Sequence, residues 1–280
     1  MTGSLAMPVV WTLVLAVGLL AWPWLLARLA GRRPQLADRL AGGVLPTGAE
    51  LTAIWRGGPA VAWPTLVAWA ALVLLAGVLP VASGWTVADL DAGALWVLVL
   101  ALVIWLAVGR RGVSAAAAAG AMLTLTASLV PVVLRVASLN LTDMVVAQQG
   151  GAGNWFLVRE PLLMLGGLGF LLAAASLAAA GQAPAAADPW SVALRWGTPL
   201  VAAHLFAVLF LGGWWAVAPV ADGLPWLNTA LKTLVGLLVI NGLRARRWVT
   251  PSLLVGWLPP AALAVSLASL AWLLLGGAVR

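Results

Sequence analysis

The chain has 280 residues, of which 64% are hydrophobic and only 8% are charged, whereas a water-soluble domain carries roughly 25% charged residues. A single soluble core cannot hide this much apolar surface, so the composition predicts an integral membrane protein. Cysteine is absent and there is one histidine, which excludes disulfides, thiolate metal sites, iron–sulfur clusters and multi-histidine metal or haem sites. The sequence also lacks a nucleotide-binding loop, paired catalytic carboxylates and a nucleophile elbow, so we predict neither metal ligands nor catalytic residues.

The formal net charge is +7, but no basic stripe with stacking aromatic residues accompanies it. Nucleic acid is therefore not an expected partner, and the arginines are better explained as topology signals in loops.

Solidly apolar segments recur along the chain. A membrane-spanning helix needs about 20 such residues, and helices are required because backbone groups in lipid must pair within the segment. We predict an all-α fold, a polytopic transmembrane helical bundle of about eight spans in a single domain, 1–280. The predicted spans are 8–28, 62–82, 92–109, 114–135, 161–180, 197–218, 226–244 and 252–276.

The arginines indicate an orientation. Arg28 follows the first span and no basic residue precedes it, so this segment is interpreted as a span with its N-terminus outside and not as a cleaved signal. The first, third, fifth and seventh loops then face the cytoplasm and hold most of the arginines, as the positive-inside rule expects. The predicted location is the cell (inner) membrane, multi-pass, with both termini outside the cytoplasm. The arginines on the cytoplasmic side are Arg28, Arg32, Arg33, Arg39, Arg56, Arg110, Arg111, Arg195, Arg244, Arg246 and Arg247.

The first loop, about 29–61, mixes leucines with arginines and small residues. This pattern predicts an amphipathic helix at the cytoplasmic interface or a docking segment for a soluble partner. Arg32, Arg33 and Arg56 are the candidate docking residues, although they could serve only to fix topology. The 18 tryptophans lie mostly near predicted span ends, as in an interfacial belt.

Ionisable residues within predicted spans are few. Lys232 lies about two turns into the seventh span and His204 lies within the sixth, so either could belong to a proton relay. Alternatively, Lys232 extends toward the outer interface and His204 bonds a carbonyl of a neighbouring helix. No carboxylate lies at the middle of any predicted span.

Several segments, in order, resemble one family. The stretch 138–148, S-L-N-L-T-D-M-V-V-A-Q, is similar to the family pattern S-L-N-L-S-D-I-V-E-A-Q, and 209–214 is L-F-L-G-G-W in both. Weaker similarities are D-L-D-A-G at 89–93, L-K-T at 231–233, and segments at 45–56, 244–245 and 256–257. The family is the H-type membrane subunit of NADH–quinone oxidoreductase, respiratory complex I, with its counterparts in membrane-bound hydrogenases.

The resemblance implies a subunit at the junction of the membrane and peripheral arms, which helps to form the quinone site and couples redox chemistry to proton translocation. Its partners would be other membrane and peripheral subunits, besides the lipid bilayer. NADH and iron–sulfur clusters would belong to partner subunits, quinone would be a shared substrate, and this chain would bind no cofactor and contain no catalytic centre.

The chain departs from the family where charge is expected. The family motif A-E-T-N-R-x-P-F-D corresponds to 178–186, where Ala179, Gln182 and Ala186 replace glutamate, arginine and aspartate. The glutamate of the family's S-Y-E motif is also absent, since that motif corresponds roughly to 120–122, ending in Met122. The expected role is therefore structural or coupling. Two alternatives stay open: a small secondary transporter, and a membrane anchor for another enzyme.

Overall fold

The computed structural model of the protein describes residues 6–41, 46–48, 51–52, 63–81, 89–109, 115–180, 189–215, 225–245 and 256–277. All regular secondary structure in these ranges is helical, as predicted. The longer helices are α1 (Ala6–Arg32), α3 (Trp63–Val78), α4 (Gly93–Gly109), α5 (Ala115–Val136), α8 (Pro161–Ala180), α9 (Pro189–Phe210), α10 (Pro225–Ala245) and α11 (Leu258–Gly277). The shorter ones are α2 (Pro34–Ala41), α6 (Leu141–Val146), a 3-10 turn (Ala152–Asn154) and α7 (Phe156–Arg159).

Several helices are long and apolar enough to cross a membrane. Within the described ranges, four meet this criterion: the segments 119–136, 161–178, 225–245 and 258–275. Shorter apolar helices cover 63–78, 93–104 and 194–210. Each predicted span overlaps one helix, but the count of eight spans stays a prediction.

Helices α8 and α9 form the centre of the bundle. Helix α8 packs against α5, α9, α10 and α11, and α9 also packs against α1, α3 and α10. Phe170 of α8 and Phe206 and Phe210 of α9 form a cluster with ring centres 5.5 to 6.1 Å apart. This aromatic contact packs the two central helices against each other.

Glycines allow α8 to approach α5 closely. A Cβ at Gly166 would lie 3.2 Å from the carbonyl oxygen of Ser128, and one at Gly169 would lie 2.9 Å from the Ser128 hydroxyl. The Gly166–Gly169 stretch therefore serves helix packing, as is common between membrane helices.

The predicted C-terminal boundary of the sixth span, 197–218, is wrong by about two turns, because the helix ends at Phe210. Helix α9 begins at Pro189 and ends at Phe210. Proline suits the first turn of a helix because its missing N–H has no partner there. The helix stops because Gly212 and Gly213 adopt φ angles of +71° and +49°, which lie outside the right-handed helical region.

The outer surface of the bundle is apolar. Helix α11 exposes a leucine-rich face, and α4 and α10 expose similar faces. Such faces are unusual for a soluble monomer and typical of helices that face lipid. Trp63, Trp226 and Trp257 are exposed close to helix ends, where an interfacial belt places them. Trp196 and Trp214, by contrast, are buried.

The first predicted loop does contain an amphipathic helix in its described part. Helix α2 buries Ala37, Leu40 and Ala41 and exposes its remaining residues. It packs against α1 and α10. Of the rest of the predicted 29–61 element, the structure describes only 29–33, 46–48 and 51–52, so Arg56 lies outside the described residues.

Candidate functional site

Two connecting segments that carry the family resemblance contact each other at one end of the bundle. The Asp89 carboxylate accepts hydrogen bonds from the Asn140 side-chain amide and the Thr142 hydroxyl, both at 3.0 Å. The backbone N–H of Ala94 donates to the carbonyl oxygen of Leu139 at 2.8 Å. The segment before α4 is therefore tied to the segment before α6.

Helix α6 begins because Asn140 caps it. The Asn140 side-chain oxygen accepts the backbone N–H groups of Thr142, at 2.7 Å, and Asp143, at 3.3 Å. These N–H groups would otherwise lack a partner in the first turn. The cap fixes the direction in which α6 leaves the bundle end, and hence the position of Gln148.

Gln148 is a fully buried amide that joins this segment to the end of α9. Its Nε2 donates to the carbonyl oxygens of Met144, Val208 and Leu209 at 3.0 to 3.2 Å. Its Oε1 accepts the backbone N–H groups of Phe156, at 3.1 Å, and Gly212, at 3.0 Å. One side chain thus satisfies backbone groups at the C-terminus of α9 and the N-terminus of α7, where helices leave such groups unpaired.

The two glycines after α9 are required by this contact. A Cβ at Gly212 would lie 2.9 Å from the Trp155 indole, and one at Gly213 would lie 3.0 Å from the Val145 side chain. The positive φ angles at both positions add a second reason, since left-handed backbone is costly for residues with a Cβ. The L-F-L-G-G-W stretch therefore closes tightly on the 145–156 segment.

Lys232 completes the cluster from α10. Its ammonium donates to the carbonyl oxygens of Gly213, at 3.0 Å, and Trp215, and it lies 4.4 Å from the ring centre of Trp155. The buried charge is thereby stabilised by two carbonyl dipoles and an aromatic face. We call Gln148, Trp155, Gly212, Gly213 and Lys232 the Gln148–Lys232 cluster.

His204 and Thr229 hold the segment that follows α3. The Nε2 atom of His204 lies 3.3 Å from the carbonyl oxygen of Pro80, and the Thr229 hydroxyl donates to the carbonyl oxygen of Val81 at 2.6 Å. The sequence offered a bond from His204 to a carbonyl of a neighbouring helix as one alternative; the carbonyl that His204 contacts belongs to Pro80, two residues after the end of α3.

A proton relay through Lys232 and His204 stays a prediction. The structure places both near the same end of the bundle, but each contacts a different backbone segment. Among the described residues, neither contacts a carboxylate. Both contact carbonyls of the non-helical segments that follow α3 and α9.

The cluster can therefore position three helix ends relative to one another.

No protein-family model and no curated protein matches this sequence. The family resemblance accordingly depends on the segments quoted above and on the contacts among them.

At the opposite end of the bundle lie the candidate docking residues. Arg32 ends α1 and Arg33 follows it, and both side chains are exposed. They are accessible to a soluble partner, and docking stays a prediction.

The structure also shows a contact that the sequence did not predict: Asn241 and Arg244 of α10 donate to the carbonyl oxygens of Leu40 and Ala41, respectively.

The positions where the family has charge are partly described. Met122 is half-buried in α5, and Ala179 lies in the last turn of α8, whereas Gln182 and Ala186 lie outside the described residues. Among the described residues, no group of three or more histidine, aspartate or glutamate side chains could hold a metal ion.

Proposed function

We propose that this chain is a membrane-embedded component of an NADH–quinone oxidoreductase-like complex, related to the H-type membrane subunit of that family. Its place would be the junction of the membrane arm with the peripheral arm. There it would contribute to the architecture of the quinone site and to the coupling of quinone reduction to proton movement, without a catalytic centre of its own.

The Gln148 contact is the observation that carries this proposal. The two most specific resemblances, 138–148 and 209–214, are about 60 residues apart in sequence, yet Gln148 bonds directly to Val208, Leu209 and Gly212. The weaker resemblances at 89–93 and 231–233 join the same end through Asp89 and Lys232. Chance similarities scattered along a sequence have no reason to meet in space, so their meeting supports a common scaffold.

The missing charges support a structural or coupling role. Charge-coupled proton movement requires ionisable groups whose proton affinity differs between states. Ala179 and Met122 have no ionisable side chain and cannot serve this purpose. Carboxylates are also costly in a membrane interior, so their loss stabilises a subunit that no longer uses them.

We further propose eight spans with both termini outside the cytoplasm. The connections that this topology assigns to one side do contact each other. At one end 89–94, 139–156 and 211–215 meet, and at the other α2 meets the C-terminus of α10. If an odd number of spans lay between two of these connections, the connections would be on opposite sides of the membrane and could not meet.

Native mass spectrometry of the gently solubilised protein tests the assignment. We expect it to leave the membrane together with iron–sulfur and antiporter-like membrane subunits. A homo-oligomer without such subunits would contradict the proposal and favour the secondary transporter, and a single unrelated soluble enzyme would favour the membrane anchor.

The coupling role is tested on the purified assembly. Inhibitor-sensitive quinone reduction is measured together with proton uptake into sealed vesicles. We expect quinone reduction to require the complete assembly and to persist, with coupling intact, when His204 is changed to Gln, because glutamine can keep a contact with Pro80. A loss of proton uptake with quinone reduction intact would instead assign the relay to His204.

A further inference from the structure

The contact between α2 and α10 leaves two buried polar atoms without partners. Asn241 and Arg244 are 1% and 8% exposed, and each uses one group to bond a carbonyl at the end of α2. Within the part of the chain that the structure describes, the Asn241 Oδ1 atom and the Arg244 Nε atom have no hydrogen-bond partner. Buried polar groups are rarely left so.

The two orphan atoms lie on the same face of α10. Residues three apart on a helix share a face, so the Asn241 and Arg244 side chains project from neighbouring positions of α10. One orphan is an acceptor and the other a charged donor. A ligand that satisfies both must present an anionic or carbonyl acceptor together with a hydroxyl or similar donor.

The electrostatics of this end select an anion. Arg195, near the start of α9, lies close enough to Arg244 for their positive charges to repel, and its guanidinium also lies 5.5 Å from the ring centre of Trp196. Among the described acidic residues, Asp38 lies on the exposed face of α2, and Asp89, Asp91, Asp143 and Glu160 lie on the connections at the opposite end of the bundle. An anionic ligand would balance the buried positive charge of Arg244.

The position of the site indicates where the anion comes from. Helix α2 is amphipathic, and it packs against the C-terminal end of α10. Helix α10 is long and apolar enough to span a bilayer. Arg28, Arg32, Arg33 and Arg39 are exposed on α1, on α2 and between them. Basic pockets between membrane helices at the interface are typical binding sites for anionic lipid headgroups.

We propose that Asn241 and Arg244 bind the phosphate of an anionic phospholipid at the junction of α2 and α10. A phosphate oxygen accepts the Nε–H of Arg244, and a headgroup hydroxyl, such as that of phosphatidylglycerol, donates to Asn241 Oδ1. The lipid thereby fixes α2 against the bundle. This site depends on membrane location and not on the family assignment proposed above.

The test uses the full-length protein, purified in detergent and stripped of lipid. Native mass spectrometry measures binding of phosphatidylglycerol, of phosphatidylcholine and of inorganic phosphate to the native chain and three variants. Arg244→Gln removes the charge, Arg244→Lys keeps the charge but lacks Nε, and Arg39→Gln removes an exposed charge from α2 as the matched control.

We expect phosphatidylglycerol to bind in preference to phosphatidylcholine, and Arg244→Gln to weaken it at least about tenfold. Arg244→Lys should lose a large part of the preference, while Arg39→Gln should change it less than about threefold. Circular dichroism of each variant shows whether the helices persist, and Arg244→Lys provides the comparison if Arg244→Gln does not fold.

Three outcomes would overturn the proposal. The first is equal losses in Arg39→Gln and Arg244→Gln, because attraction would then depend on overall charge. The second is unchanged binding in both Arg244 variants. The third is absence of both lipid and phosphate binding, which would leave the orphan atoms to a buried water. Competition by millimolar inorganic phosphate would support the phosphate site but assign it to a soluble anion.

Discussion

The ammonium of Lys232 lies 4.4 Å from the ring centre of Trp155, and the same ammonium bonds the carbonyl oxygen of Gly213 at 3.0 Å. Lys232 is the single lysine of the sequence and is 6% exposed. Its contacts make the Gln148–Lys232 cluster a junction of α7, α9 and α10, whose integrity can be measured directly.

Amine labelling tests the burial of Lys232. A water-soluble amine-reactive reagent should leave Lys232 unmodified in the folded protein, because the ammonium is enclosed by Trp155 and two carbonyls. Peptide mass spectrometry locates the label, and protein unfolded in dodecyl sulfate provides the labelled control. Rapid modification of the folded protein would contradict this environment.

Replacement of Gln148 by leucine should destabilise the fold by roughly 2–4 kcal/mol, because the backbone groups at Phe156, Gly212 and the end of α9 lose their partner. Thermal unfolding in detergent micelles gives the measurement. The matched control is Gln149→Leu, the same change at the exposed neighbouring position, which should shift stability by less than about 0.5 kcal/mol. Similar losses in the two variants would argue against a special role for Gln148.

Gly212→Ala should destabilise the protein by about 2 kcal/mol or more, since the new Cβ meets the Trp155 indole and the backbone is left-handed there. Gly153→Ala is the control, because a Cβ at Gly153 would meet nothing within 4 Å. The free energies of unfolding of the two variants are compared in the same detergent. Wild-type stability in Gly212→Ala would show that the turn after α9 can adopt another shape.

Single cysteines test the predicted topology, and the absence of native cysteine makes each label unambiguous. Gln35→Cys on α2 and Gln149→Cys after α6 are both exposed. The eight-span prediction places them on opposite sides of the membrane, so a membrane-impermeant thiol reagent applied to intact cells should label only Gln149→Cys. Labelling of both from outside would refute the predicted orientation.

The helical segments were predictable because lipid imposes one simple condition, an apolar stretch whose backbone pairs with itself. Helices 93–109, 115–136, 161–180 and 225–245 therefore lie within a residue or two of their predicted bounds. The end of α9 was not predictable from hydropathy, since Leu211, Trp214 and Trp215 continue the apolar pattern. Only the positive φ angles of two glycines end the helix.

The polar contacts were less predictable than the helices. Lys232 was identified as unusual because a charge in an apolar run is visible in sequence, but its partners are backbone carbonyls, which have no sequence signature. Gln148 and Asn241 were missed as functional groups, although an amide within apolar surroundings is a signal of the same kind. Each bonds residues far away in the chain, at separations that local patterns do not encode.

The contact between Arg244 and Ala41 can form only late in the synthesis of the chain. The two residues are 203 positions apart, and a ribosome adding about 5–20 residues per second needs roughly 10–40 s to pass from one to the other. During that interval α2 has emerged while the side chains that cap it have not been made. The amphipathic helix must therefore wait, uncapped, at the membrane surface until α10 is inserted. A nascent chain stalled before residue 241 should accordingly leave α2 open to protease. In the complete chain, α2 should be protected.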